Sequence, residues 1–282
     1  MVDTMPSGVV DHQRALAIAP ATLAIALLAF ACEPTVVIGS CAEPLVADTG
    51  EAGASGSSND DAVGVPWSTG FEDGWCGYQA AGGYCYARHG ASLEIVQSPP
   101  PRPGGGKFAA AFTVNADAST DFRSQTRCVR QGVMPKSAYY GAWYYIPALA
   151  TSDGKWNLFH FLGGISEVDS HSLWDVSLAN RADGQLQLSL FDFPNMTQHL
   201  ATANTDPVPI GRWFHLEIQL VRSAQSNGEV TVLQDGVVAV HLADLITDDT
   251  EWGQWYVGNY ATTLVPALST VYVDDITIRE EP

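Results

Sequence analysis

The residues best suited to chemistry form a short basic run. Four of the 13 basic residues stand between positions 123 and 136, a stretch without any acid: Arg123, Arg127, Arg130 and Lys136. Residues four apart on a strand share a face, so Arg123 and Arg127 point the same way. Paired guanidinium groups suit a carboxylate or sulfate, which predicts an anion site. The alternative is that these arginines pair with Asp117 and Asp121 at the solvated surface.

Other catalytic systems are absent from the sequence. It contains no Gly-x-Ser-x-Gly elbow, phosphate-binding loop or His-Glu-x-x-His motif. The remaining histidines show no clustering at zinc-ligand spacing. No convincing strand carries the paired carboxylates that hydrolyse glycosides, and hydrolysis by that route is not expected.

The charge balance restricts the partners. The chain has 31 acidic and 13 basic residues and a net charge of −18. Such a surface keeps a protein soluble and repels nucleic acid and anionic membrane faces. We therefore expect no nucleic-acid partner and, more weakly, no strongly anionic polysaccharide. The protein is expected to be a monomer.

Beyond residue 66, short β-rich segments alternate with Gly, Pro, Asn and Asp clusters, and no helical period is sustained. Only Leu242–Ile246 could form a helical turn. This pattern predicts an all-β protein built as a two-sheet antiparallel sandwich. The predicted strands are Ser92–Gln97, Lys107–Val114, Phe122–Arg130, Ala138–Ile146, Trp156–Leu162, Ser172–Ala179, Gln185–Asp192, Trp213–Arg222, Glu229–Leu233, Val237–Leu242, Gln254–Gly258 and Val271–Arg279.

Alternation and turn residues support this prediction. Leucines occupy every second position of Gln185–Leu190, as in a strand with one wet face. Three dipeptides have the residue types of tight primed hairpin turns: Asp183-Gly184, Asn227-Gly228 and Asp235-Gly236.

The N-terminal residues predict export. An apolar run, Ala15–Ala31, is too short and too interrupted for a membrane span and suits a signal peptide. Cys32 and Cys41 each follow small residues resembling a bacterial lipobox, which favours a lipoprotein over plain secretion. The predicted regions are a signal and lipobox region at 1–41, a flexible acidic linker at 42–65, and one domain at 66–282. The only membrane contact expected is the lipid anchor, at a cell surface or outer membrane.

Three cysteines remain in the domain, and in an exported protein two of them are expected to pair. Cys76 with Cys85 would close a small loop that contains Gly82-Gly83. Cys128 could instead take either of them as its partner.

Six stretches of the domain share the pattern of one fold family: Ser68–Glu72, Tyr139–Pro147, Gly211–Leu216, Asn227–Val230, Gln234–Gly236 and Val271–Ile276. Together they resemble the concanavalin A-like jelly rolls, especially the heparin-lyase-like and alginate-lyase-like polysaccharide lyases. The resemblance implies a jelly roll that handles polysaccharide, and it covers most of residues 66–282. Non-catalytic lectin-like modules share the same features.

The resemblance also implies a catalytic set. Phe122–Arg127 resembles the arginine strand of those lyases, with Gln125 where they often carry Glu. Asn157–His160 lies where their Gln/His motif would be, and Tyr256–Tyr260 is similar to their late tyrosine motif without its lysine. Arg123, His160 and Tyr260 would then be catalytic, and they should converge on one concave face with His160 accessible.

Further ligands follow more loosely. Sugar contacts are expected from a set of polar and aromatic residues: Gln125, Arg127, Trp252, Trp255 and Tyr256. The two tryptophans are expected in a Gly-containing loop, where their rings would be open for stacking. No cofactor is required. Related jelly rolls often hold a structural Ca²⁺, and Glu72 and Asp275 stand at suitable positions, although the two acids before Ile276 could simply face solvent.

Three functions remain open. The first is an exported jelly-roll protein that binds polysaccharide without turnover. The second is a polysaccharide lyase that cleaves a uronic-acid glycan by β-elimination, with Arg123 on the carboxylate, His160 as base or neutraliser and Tyr260 as acid. The third is a structural surface protein.

Overall fold

The computed structural model describes residues 36–37, 63–98, 100–117, 123–248 and 250–280. Their elements in chain order are β1 (Val36–Val37), β2 (Trp67–Thr69), α1 (Cys76–Gln79), β3 (Tyr84–Arg88), β4 (Ser92–Gln97), β5 (Phe108–Asn115), β6 (Ser124–Val133), β7 (Ser137–Tyr145), β8 (Thr151–Ser152), β9 (Trp156–Gly164), β10 (Ser170–Asn180), β11 (Leu186–Asp192), β12 (Thr197–Leu200), β13 (Trp213–Val221), β14 (Gly228–Gln234), β15 (Val237–Leu245), β16 (Trp252–Ala261), β17 (Leu264–Val265) and β18 (Leu268–Arg279).

These strands form two large antiparallel sheets. Sheet A has the order β1-β3-β6-β16-β9-β10-β11-β12, and sheet B has the order β15-β14-β13-β7-β18-β5-β4, with β2 paired to β18. Strands β8 and β17 form a small third sheet. The two large sheets enclose one core, so the predicted all-β jelly-roll sandwich is confirmed.

Alternation fills the core. Leu186, Leu188 and Leu190 of β11 are buried, as their period of two predicted. Large aromatic side chains from both sheets meet between them and are completely buried: Phe112, Tyr140, Tyr144, Trp156, Phe159, Trp174, Phe214 and Trp255. Burial of this apolar area is the main favourable term in the folding of such a sandwich.

One buried amide links the two sheets. Asn259 of β16 is fully buried and accepts a hydrogen bond of 2.9 Å from the indole of Trp156. Its Nδ2 donates to the carbonyls of Phe112 (2.9 Å) and Ser269 (3.2 Å) on sheet B. A buried polar group is costly unless it is hydrogen-bonded, and every polar atom of this side chain has a partner.

Each of the twelve predicted strands is present, with ends shifted by a few residues. The sequence reading missed the short helix α1 and strands β1, β3, β8, β12 and β17. The helical turn predicted at Leu242–Ile246 is wrong, because β15 continues through Leu245.

The three hairpin predictions have different outcomes. Asp235 and Gly236 have φ values of 52° and 79°, as a primed two-residue turn requires. Gly184 has a positive φ and Asp183 does not, so that turn is of another type. The prediction at Asn227-Gly228 is wrong, since Gly228 is already the first residue of β14 and has no positive φ.

The N-terminal predictions fall largely outside the described residues. Cys32, Cys41, the signal and lipobox region other than 36–37, and most of the linker belong to that part of the chain. Val63 is buried, and its N–H donates to the carbonyl of Val133 at 2.9 Å, so residues 63–65 lie on the folded domain. In the described parts, no helix has the length and apolar character that a membrane crossing needs.

The disulfide predicted between Cys76 and Cys85 is wrong, and the alternative partner for Cys128 is correct. Cys85 is bonded to Cys128, and their Cα atoms are 4.0 Å apart. The cause is strand register, because β3 pairs with β6 so that these two residues stand directly opposite. Cys76 is also disulfide-bonded, but to neither of them.

A guanidinium stands where the calcium was expected. Arg102 forms ion pairs with Asp274, 3.4 Å away, and with Asp275. Glu72 accepts the N–H of Phe108 at 2.9 Å. Burial raises the pKa of Asp274 to about 6, although Arg102 lowers it.

These residues therefore suit Arg102 better than a divalent cation. Among the described residues, no three His, Cys, Asp or Glu side chains are grouped closely enough to hold a metal. The calcium site at Glu72 and Asp275 stays a prediction.

We expect the cross-strand disulfide to stabilise the sandwich. It closes a loop with a sequence separation of 43, and Cys128→Ser should lower the free energy of unfolding by roughly 2–4 kcal/mol, measured by urea denaturation. Non-reducing peptide mapping provides the direct check. A peptide joining Cys76 to Cys85 would contradict the pairing.

We expect Arg102→Ala to leave Asp274 buried without a counter-ion. The free energy of unfolding at pH 8 should fall by roughly 3–5 kcal/mol. Because the raised pKa means that the folded state binds the proton more tightly, the loss should shrink as the pH falls toward 4 and Asp274 becomes neutral. Melting temperatures of the unaltered protein with calcium and with a chelator test the predicted metal site separately. A drop on chelation would show a metal site.

Candidate functional site

A polar cleft of about 250 Å³ crosses the outer face of sheet A. We call it the basic cleft. It is lined by residues from β6, β9, β10 and β16 and from the segments beside them: Arg123, Gln125, Arg127, Lys155, His160, Ser172, Asp175, Phe193 and Tyr260.

Strand pleating and register bring these side chains together. In β6, Thr126 and Cys128 are fully buried, while Gln125 and Arg127 are partly exposed in the cleft. Gln125 stands opposite Tyr260 of β16. Two further cross-strand pairs, Tyr256–His160 and His160–Asp175, extend the site across β9 and β10.

Positive charge dominates the cleft. Arg123 hydrogen-bonds the hydroxyl of Tyr260. The guanidinium of Arg127 lies 4.7 Å from the ring centroid of Tyr260 and 4.8 Å from that of Tyr256. The ammonium of Lys155 lies 4.9 Å from the ring of Phe193. Stacking fixes the direction of Arg127 without consuming its donors, and its Nε is buried with no hydrogen-bond partner among the described residues.

His160 and Asp175 form a buried dyad. Nδ1 of His160 contacts the carboxylate of Asp175, and Nε2 lies 3.4 Å from the hydroxyl of Ser172. Desolvation lowers the pKa of His160, an effect that Arg127 and Lys155 reinforce and Asp175 opposes. The geometry assigns the proton to Nδ1, donated to Asp175, which leaves Nε2 with its lone pair.

Tyr260 is suited to hold its proton. Desolvation raises the pKa of its hydroxyl, whereas Arg123 and Arg127 lower it. The balance leaves the pKa above its ordinary value of about 10. At neutral pH the cleft thus holds a neutral imidazole, a neutral phenol and three cations, with the carboxylate of Asp175 against the imidazole.

The structure brings together most of the expected site residues. Arg123, His160 and Tyr260 line one cleft with Gln125 and Arg127. The second expectation, an accessible His160, is not met, since its side chain is only 9% exposed, and this burial counts against the lyase interpretation.

The other two cations of the basic run are elsewhere. Arg130 lies over the ring of Trp67 and donates to the carbonyl of Ala81, while Lys136 borders a different cavity. Asp121, one of the two acids named as alternative partners of Arg123 and Arg127, lies outside the described residues.

The expected stacking role of Trp252 and Trp255 is wrong. Both lie in β16 rather than in a loop, with exposures of 4% and 0%. Trp255 packs in the core against Tyr140 and Phe159. Gly253 lies within the strand, where it allows a close approach to β9. A Cβ at this position would meet the carbonyl oxygen of Leu162 at 2.8 Å, so only glycine fits there. Tyr256, the third aromatic of the set, packs against Arg127 but is also buried, with 8% exposure.

Sequence reasoning missed four residues of the cleft: Lys155, Ser172, Asp175 and Phe193. For Asp175 a signal existed, because it is a single carboxylate within the apolar run Leu173–Val176. A charge in such a run needs a partner, and the nearest histidine on a neighbouring strand is a natural candidate.

The comparisons with known proteins give structural matches only. No protein-family model matches the chain, and no curated protein matches it. The endo-β-1,4-glucuronan lyase of the fungus Trichoderma reesei is 17% identical, with a TM-score of 0.54 over 70% of this chain and 90% of that one. The cellulose-induced protein Cip1 is 12% identical, with a TM-score of 0.51 over 76% and 97%. The PL-14 alginate lyase of Aplysia kurodai is 11% identical, with a TM-score of 0.50 over 76% and 98%.

Identities this low establish the architecture and nothing finer. The chain has the jelly-roll sandwich fold of these three proteins.

Proposed function

We propose that the protein is a polysaccharide lyase that cleaves a uronic-acid glycan by β-elimination in the basic cleft. The observation that carries the proposal is the convergence of a neutral His160, a protonated Tyr260 and two arginines on one cleft. Of the proteins that share the fold, one is named a glucuronan lyase and one an alginate lyase.

Recognition of the uronate comes first. Arg123 and Arg127 both line the cleft, and their guanidinium groups offer donors to the sugar carboxylate. The amide of Gln125 is a further donor between them. Neutralising the carboxylate makes the proton on the adjacent carbon more acidic, because the charge of the resulting enolate is spread onto that group.

Proton transfer then follows from the states of two side chains. Nε2 of His160 takes the proton α to the carboxylate, and Asp175 stabilises the imidazolium that forms. The electron pair of that C–H bond becomes the new double bond, and the bond to the glycosidic oxygen breaks. Tyr260 donates its proton to the leaving oxygen.

A second function, polysaccharide binding without turnover, is favoured by one observation. The side chain of His160 is 9% exposed and engaged by Asp175, as in a structural histidine. The basic cleft would then hold a uronate through Arg123 and Arg127 alone. The two functions differ in whether a folded protein that binds the glycan also produces unsaturated ends.

The protein is further proposed to be an exported lipoprotein. The apolar run Ala15–Ala31 and the cysteines that follow it support this, as does the Cys85–Cys128 disulfide, because such bonds persist in oxidising compartments. Mass spectrometry of the mature N-terminus from a membrane fraction tests it. An unmodified cysteine or an uncleaved leader would contradict it.

We expect purified protein to generate an ultraviolet-absorbing C=C bond from at least one uronic-acid polysaccharide. His160→Ala and Tyr260→Phe should each lower kcat by a factor of about 100 or more, because each removes a proton-transfer group. His241→Ala and Tyr272→Phe, on sheet B, serve as matched controls and should keep the rate. Folded protein that binds the glycans and gives no absorbance would establish the binding module instead.

The rate of cleavage should fall at both ends of the pH range, giving an acid limb and an alkaline limb. His160 must be neutral and has a pKa below its ordinary value of about 6.5, so the acid limb should lie below that pH. Tyr260 must be protonated and has a raised pKa, which puts the alkaline limb above about 10. Initial rates across this range, on protein shown to be folded at each pH, check the assignment. An acid limb above 7 would contradict a neutral His160.

A further inference from the structure

A second cleft, which we call the neighbouring cleft, continues from the basic cleft. Ser172 and Phe193 line both, so the two clefts adjoin. Its volume of about 600 Å³ falls in the range of roughly 300–1,000 Å³ typical of ligand sites. It is bounded by β10, by the segment after β11 and by the end of β15.

The two clefts differ in charge. The described lining of the neighbouring cleft contains no lysine and no arginine. Its acids are Asp244 and Asp248. The charge of Asp248 is matched by Arg222, whose Nε lies 2.6 Å away. The two terminal nitrogens of Arg222 also donate to the backbone carbonyls of Met134, Thr250 and Glu251, at 2.9, 2.7 and 3.0 Å.

Asp244 therefore sets the charge of the neighbouring cleft. It is exposed, and no lysine or arginine faces it from the described lining, in which His171 is the one imidazole. A second carboxylate bound beside it would meet repulsion without a lysine or arginine to compensate. The rest of the wall is largely apolar, with Leu173, Phe193, Pro194 and Ile246 offering surfaces for the C–H faces of a sugar ring.

We propose, resting on the function proposed above, that the substrate is a mixed polysaccharide in which an uncharged sugar adjoins the uronate. The basic cleft takes the uronate, and the neighbouring cleft takes the neutral unit. A polymer with a carboxylate on every unit is disfavoured at this position. The net charge of −18 acts in the same direction, since a homopolymer of uronate is repelled everywhere except at the basic cleft.

Calorimetric binding to the full chain tests this inference. Tyr260→Phe is introduced to stop turnover, and the two probes are a tetrasaccharide of glucuronate alone and one in which glucuronate and glucose alternate. The alternating probe should bind about tenfold tighter. Asp244→Asn should reduce that preference about fivefold by strengthening binding of the all-glucuronate probe.

Two controls separate the effect of the Asp244 charge from a change in the backbone or in the net charge. Asp244 has a φ of 58°, a conformation that asparagine tolerates, so the variant keeps the backbone. Glu94→Gln, an equal charge change on sheet B, should leave the preference unaltered.

Equal or tighter binding of the all-glucuronate probe, failure of both probes to bind, or a preference unmoved by Asp244→Asn would overturn the inference. The proposed function is judged separately, by turnover of the unaltered protein. Turnover with no preference removes only this inference, whereas a preference with no turnover removes only the lyase.

Discussion

The buried side chain of Asn259 is the constraint on which both the sandwich and its cleft depend. It joins β16 to Trp156 of β9 and to backbone carbonyls of β5 and β18, so it fixes sheet A against sheet B. The register between β9 and β16 shifts just there, between Val257 and Tyr260. At this shift the hydroxyl of Tyr144 donates to the carbonyls of Leu158 on β9 and of Gly258 on β16. Because Tyr260 follows Asn259 directly, the polar contact inside the core determines where the phenol lies outside it.

The chain has few positively charged side chains, and they serve two roles: some join segments of the sandwich, and others line the basic cleft. Arg102, Arg222 and Arg279 are held by buried or half-buried carboxylates, and their contribution is to join distant segments of the sandwich. Arg127 and Lys155 instead lie against aromatic rings in the basic cleft. A cation held by a ring keeps its donors for a ligand, while one held by a carboxylate does not. In a chain of net charge −18, this division makes the basic cleft the natural place for an anion.

Sequence reasoning reached the strands more completely than the site. Local signals sufficed for strands such as β11, where leucines alternate, and for the turn at Asp235-Gly236. Local signals failed where contacts between residues distant in the sequence determine the structure. Trp252 and Trp255 looked like loop residues because of Gly253, and only the packing of β16 between β6 and β9 buries them. The pairing of Cys85 with Cys128 and of His160 with Asp175 depends on register between strands, which no local pattern specifies.

The cations and the base of the basic cleft are electrostatically coupled, and this coupling favours reaction only after the substrate has bound. In the empty cleft, Arg127 and Lys155 help to lower the pKa of His160. A uronate carboxylate on Arg127 offsets that positive charge, so the pKa of His160 rises in the complex. Desolvation acts in the opposite direction, so burial continues to disfavour the charged imidazole while the bound carboxylate makes it a stronger base. Under the proposed function, the group that recognises the substrate also adjusts the group that deprotonates it, and a glycan without a carboxylate would meet the weaker base.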